Sequence, residues 1–174
     1  MFHIRKAVAE DALSTAIVNV YTWKTAYTGL IPETIIDTRI LELEQIAKQI
    51  RTYIEKDDNV LIAVMDGTVV GFCSYVKSRN DRYPSAGEIQ AFYILQGLQG
   101  QGIGKALFLA TAQEICDKNY TSMIVNCLHK NKSLDFYLYM GGEVVGQRED
   151  ELYGETIIED IIYFKDLRVF NNKY

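Results

Sequence analysis

The chain has 174 residues, 48% of them apolar, and a net charge of −5. That length suits one domain with a sizeable core, so a single domain over 1–174 is expected. No basic stripe is present, which disfavours nucleic acid as a partner. No apolar run reaches the roughly 18 residues of a membrane span, and the start Met1-Phe2-His3-Ile4-Arg5-Lys6 has no signal-peptide core. No membrane partner and a cytoplasmic location are therefore expected.

Residues 2–8 form a short expected strand through Phe2, Ile4 and Val8. A helix follows from about Glu10 to Tyr27, with Leu13, Ala16, Ile17 and Val20 on one face at helical spacing. Gly29 stops it, and Pro32 suits the first turn of the next helix. Helical segments cover about 32–39 and 43–56, then Asp57-Asp58-Asn59 turns the chain. Residues 60–65 and 69–77 are strands joined by Asp66-Gly67, a hairpin turn signal. The polar stretch 78–87 is a loop. A strand over 88–94, a helix over 103–117, a strand over 123–128 and a short helix from Ser133 to Met140 come next. Gly141-Gly142 ends that helix. Strands 144–148 and 156–164 close the chain as an antiparallel pair. This order predicts an α+β (α/β) fold: a mixed sheet with helices on its faces.

Cys73, Cys116 and Cys127 are odd in number and contain no Cys-x-x-Cys, so neither a zinc site nor a disulfide framework is expected. They fit buried small hydrophobes. His3 and His129 are far apart and lack a ligand cluster, and His129 falls in a loop. No metal is expected.

The most informative segment is Gln99-Gly100-Gln101-Gly102-Ile103-Gly104, between an apolar strand and an amphipathic helix. Alternate glycines let backbone approach a ligand closely, and the N–H groups of a helix start favour an anion. A Walker A loop fails here, because Gly104-Lys105 is followed by Ala106 and the early glycine position is Gln99. A Rossmann fingerprint also fails, since from Gly100 the third glycine comes one residue too soon. A Gly-rich turn that merely joins strand to helix is the bland alternative.

The remaining pattern, Gln-x-x-Gly-x-Gly, resembles the acetyl-CoA loop of the GNAT superfamily of N-acetyltransferases. The element order is similar too, and it implies a GNAT-like, mostly antiparallel sheet flanked by helices. The resemblance implies acetyl-CoA as cofactor, with Gln99, Gly100, Gln101, Gly102, Ile103, Gly104 and Lys105 at its diphosphate. It also implies that the backbone of Phe92, Tyr93 and Ile94 runs beside the pantetheine arm, with the Ile94 N–H at the thioester oxygen. Some family members carry a general base where Glu88 stands, and others use water chains; an ordinary exposed glutamate is the plain alternative. The run from Asn131 through Phe136-Tyr137 to Gly141-Gly142 is similar to the family's Asn, Phe-Tyr, Gly pattern. It implies Asn131, or Lys130, at the cofactor and Tyr137 as acid to the CoA thiolate. Tyr139 competes as the phenol, and Tyr137 as a core tyrosine is the alternative.

Trp23-x-x-x-Tyr27-x-Gly29-Leu30-Ile31-Pro32 looks similar to the opening of a subset that includes polyamine and other small-amine acetyltransferases. It implies Trp23, Tyr27 and Leu30 at the acceptor, although Trp23 and Tyr27 at i, i+4 spacing equally suit a core pair. The implied activity is acetyl transfer to a small-molecule primary amine by direct attack. A protein or peptide N-acetyltransferase, or a CoA-binding regulatory module without turnover, stands as the alternative. Family members are often dimers, which leaves a homodimer open.

Overall fold

Twelve main elements follow one another along the chain of this computed structural model, which describes residues 1–170. Residues 171–174 of the expected domain lie outside the described residues. The strands are β1 (Phe2–Lys6), β2 (Val60–Met65), β3 (Thr68–Lys77), β4 (Gly87–Ile94), β5 (Met123–Leu128), β6 (Glu143–Leu152) and β7 (Glu155–Phe164). The helices are α1 (Ala12–Tyr27), α2 (Glu33–Leu41), α3 (Leu43–Asp57), α4 (Ile103–Asp117) and α5 (Ser133–Tyr139). The strands form one sheet in the order β1-β2-β3-β4-β5-β7-β6. β4 and β5 run parallel, whereas β1–β2, β2–β3, β5–β7 and β6–β7 are antiparallel. This is the expected mixed, mostly antiparallel sheet. Among the described residues, no helix is long and apolar enough to cross a membrane.

The chain forms two compact units. The first joins Met1–Ser74 to Ala91–Thr111, and the second joins Tyr75–Gln90 to the segment from Ala112 onward. In the first unit, Val18 of α1 packs in a cluster with Val60, Ile62, Val64, Val69 and Phe72 of the strands. Ala12, Ala16 and Val20 of the same helix pack with Ile46 and Ile50 of α3. Helix α1 is thus buried on two flanks, which turns its outer stripe away from the one read in the sequence. Ala16 and Val20 are buried as expected, but Leu13 is 53% and Ile17 38% exposed.

Strand β1 stops at Lys6, two residues before its expected end. The Asp11 carboxylate accepts the Val8 N–H at 2.8 Å, and the Asp11 N–H donates to the Val8 carbonyl at 2.9 Å, so the chain turns there. A bulge at Ala63/Val64 interrupts the β2–β3 register. Beside it, the Val70 carbonyl accepts the Leu95 N–H at 3.0 Å, just past the end of β4.

In the second unit, β4 and β5 pair at Gly87↔Met123, Glu88↔Ile124 and Ile89↔Val125. A Cβ on Gly87 would lie 2.5 Å from Ile115 Cγ2, so only glycine lets α4 approach this strand start. β6 runs to Leu152 rather than 148, and β7 starts at Glu155. Tyr153 and Gly154, with φ of +52° and +82°, form the two-residue turn between them. The extension escapes sequence reading because β6 is an edge strand, largely exposed, and carries Glu149, Asp150 and Glu151.

Candidate functional site

The first unit contains the glycine loop. Gly100 and Gly102 adopt φ of +77° and +83°, in the left-handed region that glycine enters without strain. A Cβ at either position would meet nothing within 4 Å, so the space beside both is open. In α4 the Ala106 N–H donates to the Gly102 carbonyl at 3.0 Å. The N–H groups of Ile103, Gly104 and Lys105 precede that bond and have no intrahelical acceptor. Gln99 ties the loop to its strand, because its Nε2 donates to the Ile94 carbonyl at 3.0 Å. Gln101 and Lys105 are exposed, while Ile103 is buried and anchors the helix start. Donors at a positive helix end, with open space that a side chain would fill, fit a diphosphate.

The same unit gathers the aromatic residues. Trp23 Nε1 donates to Tyr93 Oη at 3.1 Å, and Tyr93 Oη lies 3.0 Å from Tyr27 Oη. The Trp23 and Tyr27 rings meet edge to face at 5.0 Å. Tyr93 also packs on Phe72, and Phe92 lies edge-on to Phe108. The core-pair and acceptor-wall readings of Trp23 and Tyr27 meet here. Trp23 is buried, yet its indole N–H binds a phenol on the β4 strand end. Leu30 is exposed, just past α1. Arg39, absent from the sequence-derived set, lies over Trp23 with Cζ 4.5 Å from the ring centroid.

The second unit holds the two expected catalytic residues. Glu88 is 1% exposed, unlike an ordinary surface glutamate. Its Oε1 accepts Arg79 Nη2 at 2.5 Å, Arg79 Nε at 3.2 Å and Asn126 Nδ2 at 3.3 Å. Its Oε2 accepts the Arg79 backbone N–H at 2.9 Å. The hydrogen bond to Glu88, with weaker pull from Asp150 and Glu159, holds the Arg79 guanidinium above its ordinary value. Four hydrogen bonds thus hold Glu88, three on Oε1 and one on Oε2, which leaves Oε2 the less engaged oxygen. Asn126 Oδ1 is buried with no hydrogen-bond partner, a polar atom left beside this carboxylate.

Asn131 is buried, and its Oδ1 accepts the Ser133 N–H at 2.8 Å. Its carbonyl accepts the Leu134 N–H, so Asn131 closes the turn that leads into α5. Lys130, before it, has φ +67°. Tyr137 is buried on α5 against Phe136, whereas Tyr139 is exposed. His129 is in a turn as expected, but Asp160 fixes its ring: Nδ1 lies 3.0 Å from Asp160 Oδ2, and Gln147 Nε2 donates to Asp160 Oδ1 at 2.8 Å. Cys73 and Cys127 are buried, and desolvation pushes both thiols up to about 12. Burial also raises the half-buried Cys116. None of the three is poised as a nucleophile.

Residues 14–153 match the family model described as an acetyltransferase (GNAT) domain, and the chain belongs to that family. It is accordingly an N-acetyltransferase, with acetyl-CoA as the acetyl donor of its family. The uncharacterized N-acetyltransferase YuaI of Bacillus subtilis (strain 168) is 28% identical over 171 residues, covering 96% of this chain and 95% of that protein. The fold is similar to that of the PaiA N-acetyltransferase of Thermoplasma acidophilum, solved in complex with coenzyme A, with a TM-score of 0.75 and 22% identity over 95% of this chain and 99% of that one. It is also similar to YncA of Salmonella typhimurium, a putative acetyltransferase solved with acetyl-CoA. There the TM-score is 0.70 and the identity 19%, over 95% of this chain and 94% of that one.

Proposed function

We propose that this enzyme acetylates the primary amine of a small molecule, polyamines and amino acids being the classes to compare, by direct attack of the amine on acetyl-CoA. The observation that carries the small-molecule reading is the hydrogen-bonded set Trp23, Tyr93 and Tyr27, a packed aromatic wall in the same compact unit as the glycine loop. A wall of this kind suits a compact acceptor better than a polypeptide. Direct attack is supported by the buried Cys73 and Cys127, whose raised thiols make poor acyl-enzyme nucleophiles.

Bound acetyl-CoA supplies an activated acyl group. Backbone N–H groups from Gly100 to Lys105 hold its diphosphate, and Gln99 keeps that loop fixed to β4. The β4 end at Phe92, Tyr93 and Ile94 would hold the pantetheine arm, and the Ile94 N–H would be the donor that stabilises the developing oxyanion. Asn131 supports the cofactor from the turn just before α5. Glu88, through water or after Arg79 shifts, takes the proton of the amine, and Tyr137 Oη holds the proton that the departing sulfur takes up. Trp23, Tyr27 and Leu30 line the acceptor.

The test begins with the cofactor. Gly102→Val places a β-branched residue at φ +83°, at a cost of roughly 1–2 kcal/mol, and fills the open space. Calorimetry should show at least about a hundredfold loss of acetyl-CoA affinity, near 3 kcal/mol. Binding that survives in a folded variant overturns the loop assignment. A turnover screen of the parent enzyme across polyamines, amino acids, aminoglycosides and short peptides then tests the acceptor class. Peptides acetylated ahead of every small amine would overturn it.

A further inference from the structure

Among the described residues, Arg39 carries a charge with no carboxylate partner. It is half-buried on α2. Its Nε and Nη2 donate to Asn19 Oδ1 at 3.3 and 3.1 Å, and its guanidinium lies on the Trp23 ring. No carboxylate among the described residues lies within ion-pair distance of it. The contrast with the other arginines is informative in a chain with 23 acidic against 18 basic residues. Arg5, Arg51, Arg79, Arg148 and Arg168 each pair with an aspartate or glutamate. Arg82, which does not, is exposed on a loop.

A guanidinium has five donors in a planar fork suited to a carboxylate, and Asn19 engages two of its N–H groups. Asn19 is itself buried, so the fork is held in one orientation from below. Trp23, the platform under the charge, donates to Tyr93, which touches Tyr27. The unpaired cation therefore adjoins the wall assigned to the acceptor. A cation already on the Trp23 face also opposes a second cation at that ring.

We infer that Arg39 binds a carboxylate on the acceptor, so that the substrate is a small amine carrying an acid group, an amino acid or a close relative, in preference to a polyamine. This rests on the proposed acceptor wall and names the substrate class for it. It also gives the acceptor's carboxylate a cationic partner on a protein whose net charge is −5.

The experiment measures initial rates of thiol release from acetyl-CoA by the full-length enzyme. Acceptors are a set of amino acids, the primary amide of each, and a polyamine. In the parent enzyme each favoured acid should exceed its amide by at least about tenfold in kcat/KM, mainly through KM. Arg39→Gln should bring that acid-to-amide ratio to within about twofold of one, and Arg39→Lys should keep part of the preference. The parent comparison needs no variant, so a misfolded substitution cannot hide the answer. Equal rates for acid and amide, a polyamine as best acceptor, or an acid preference that survives Arg39→Gln would each overturn the inference while leaving the small-amine reading in place. If acetyl-CoA binds but no small amine is acetylated, the small-amine reading falls and this inference falls with it.

Discussion

Glu88→Gln separates a carboxylate that moves protons from one that holds the fold. The substitution keeps the shape of the side chain but removes its charge and one acceptor. If the remaining oxygen stays on the Arg79 guanidinium, the new amide faces the Arg79 backbone N–H, donor against donor, where a 2.9 Å bond existed. One charge-assisted bond is lost and the others weaken. Breaking a fully buried pair costs about 3–5 kcal/mol, but the Arg79 side chain is 56% exposed and water compensates it in part. A loss of about 2–3 kcal/mol is reasonable, which lowers the melting temperature by roughly 5–10 °C for a domain of this size. The catalytic role predicts something further. With its base removed, the enzyme should lose most rate at lower pH, where the amine holds its proton. The assay is a thermal melt together with a pH profile of kcat/KM for Glu88→Gln and for Arg79→Met. Both variants should be destabilised, and only Glu88→Gln should lose rate chiefly on the acid side. If the Glu88→Gln profile keeps its shape, Glu88 is structural and a water chain is the base. If the melting temperature of both is unchanged, the Arg79–Glu88 ion pair does not support this fold.

Two further outcomes are expected. Tyr137→Phe removes one hydroxyl from a buried ring and should lower kcat by about tenfold or more, with acetyl-CoA affinity by calorimetry within about twofold; an unchanged kcat assigns the acid role elsewhere. Asp11→Asn should cost about 1 kcal/mol at pH 7, because Asp11 binds Arg5 at 2.6 and 2.9 Å and also the Val8 N–H. The Arg5 hydrogen bond, with help from Val8, holds the Asp11 carboxyl below the ordinary carboxylate value. Its contribution is therefore present above that value and lost as pH falls through the lowered one. Urea melts should show the gap between parent and variant closing as pH falls below the ordinary aspartate range, and a gap independent of pH would refute the ion-pair account.

The glycine loop was legible in the sequence because its constraint is local. Gly100 and Gly102 are needed where they stand by their own backbone angles, and the helix start follows at once. The order of elements along the chain was legible for a similar reason, since most strands carry apolar runs bounded by turn residues. Side-chain partners were not. Trp23 and Tyr93 lie 70 positions apart and Glu88 and Asn126 lie 38 apart. Only the folded chain brings them together, and nothing in their spacing announces it. Arg79 could have been suspected, nine residues before Glu88 across a loop, but a glutamate at a strand start usually faces solvent. Arg39 carried no signal, because an arginine near the end of a helix is ordinary until it is seen to lack a carboxylate partner among the described residues.

Gly141-Gly142 shows how one legible signal can hide two separate causes. Both glycines read as a helix stop, and Gly141 is one: its φ is +94° and a Cβ there would meet nothing within 4 Å. Gly142 is required for space. A Cβ there would lie 2.5 Å from Ile162 Cγ2 and 2.7 Å from Phe164 Cζ, both on β7. Its N–H donates to the Tyr137 carbonyl at 3.0 Å, and the Gly141 N–H donates to the Leu138 carbonyl at 2.9 Å. These are the paired bonds that close a helix through a left-handed residue. The turn of α5 that carries Tyr137 is thus fastened at its carbonyl by a residue wedged against β7. The first glycine sets where the helix ends, and the second sets how closely that end packs on the sheet. The position of the Tyr137 side chain then depends on contacts in β7 that the Phe-Tyr motif itself does not contain.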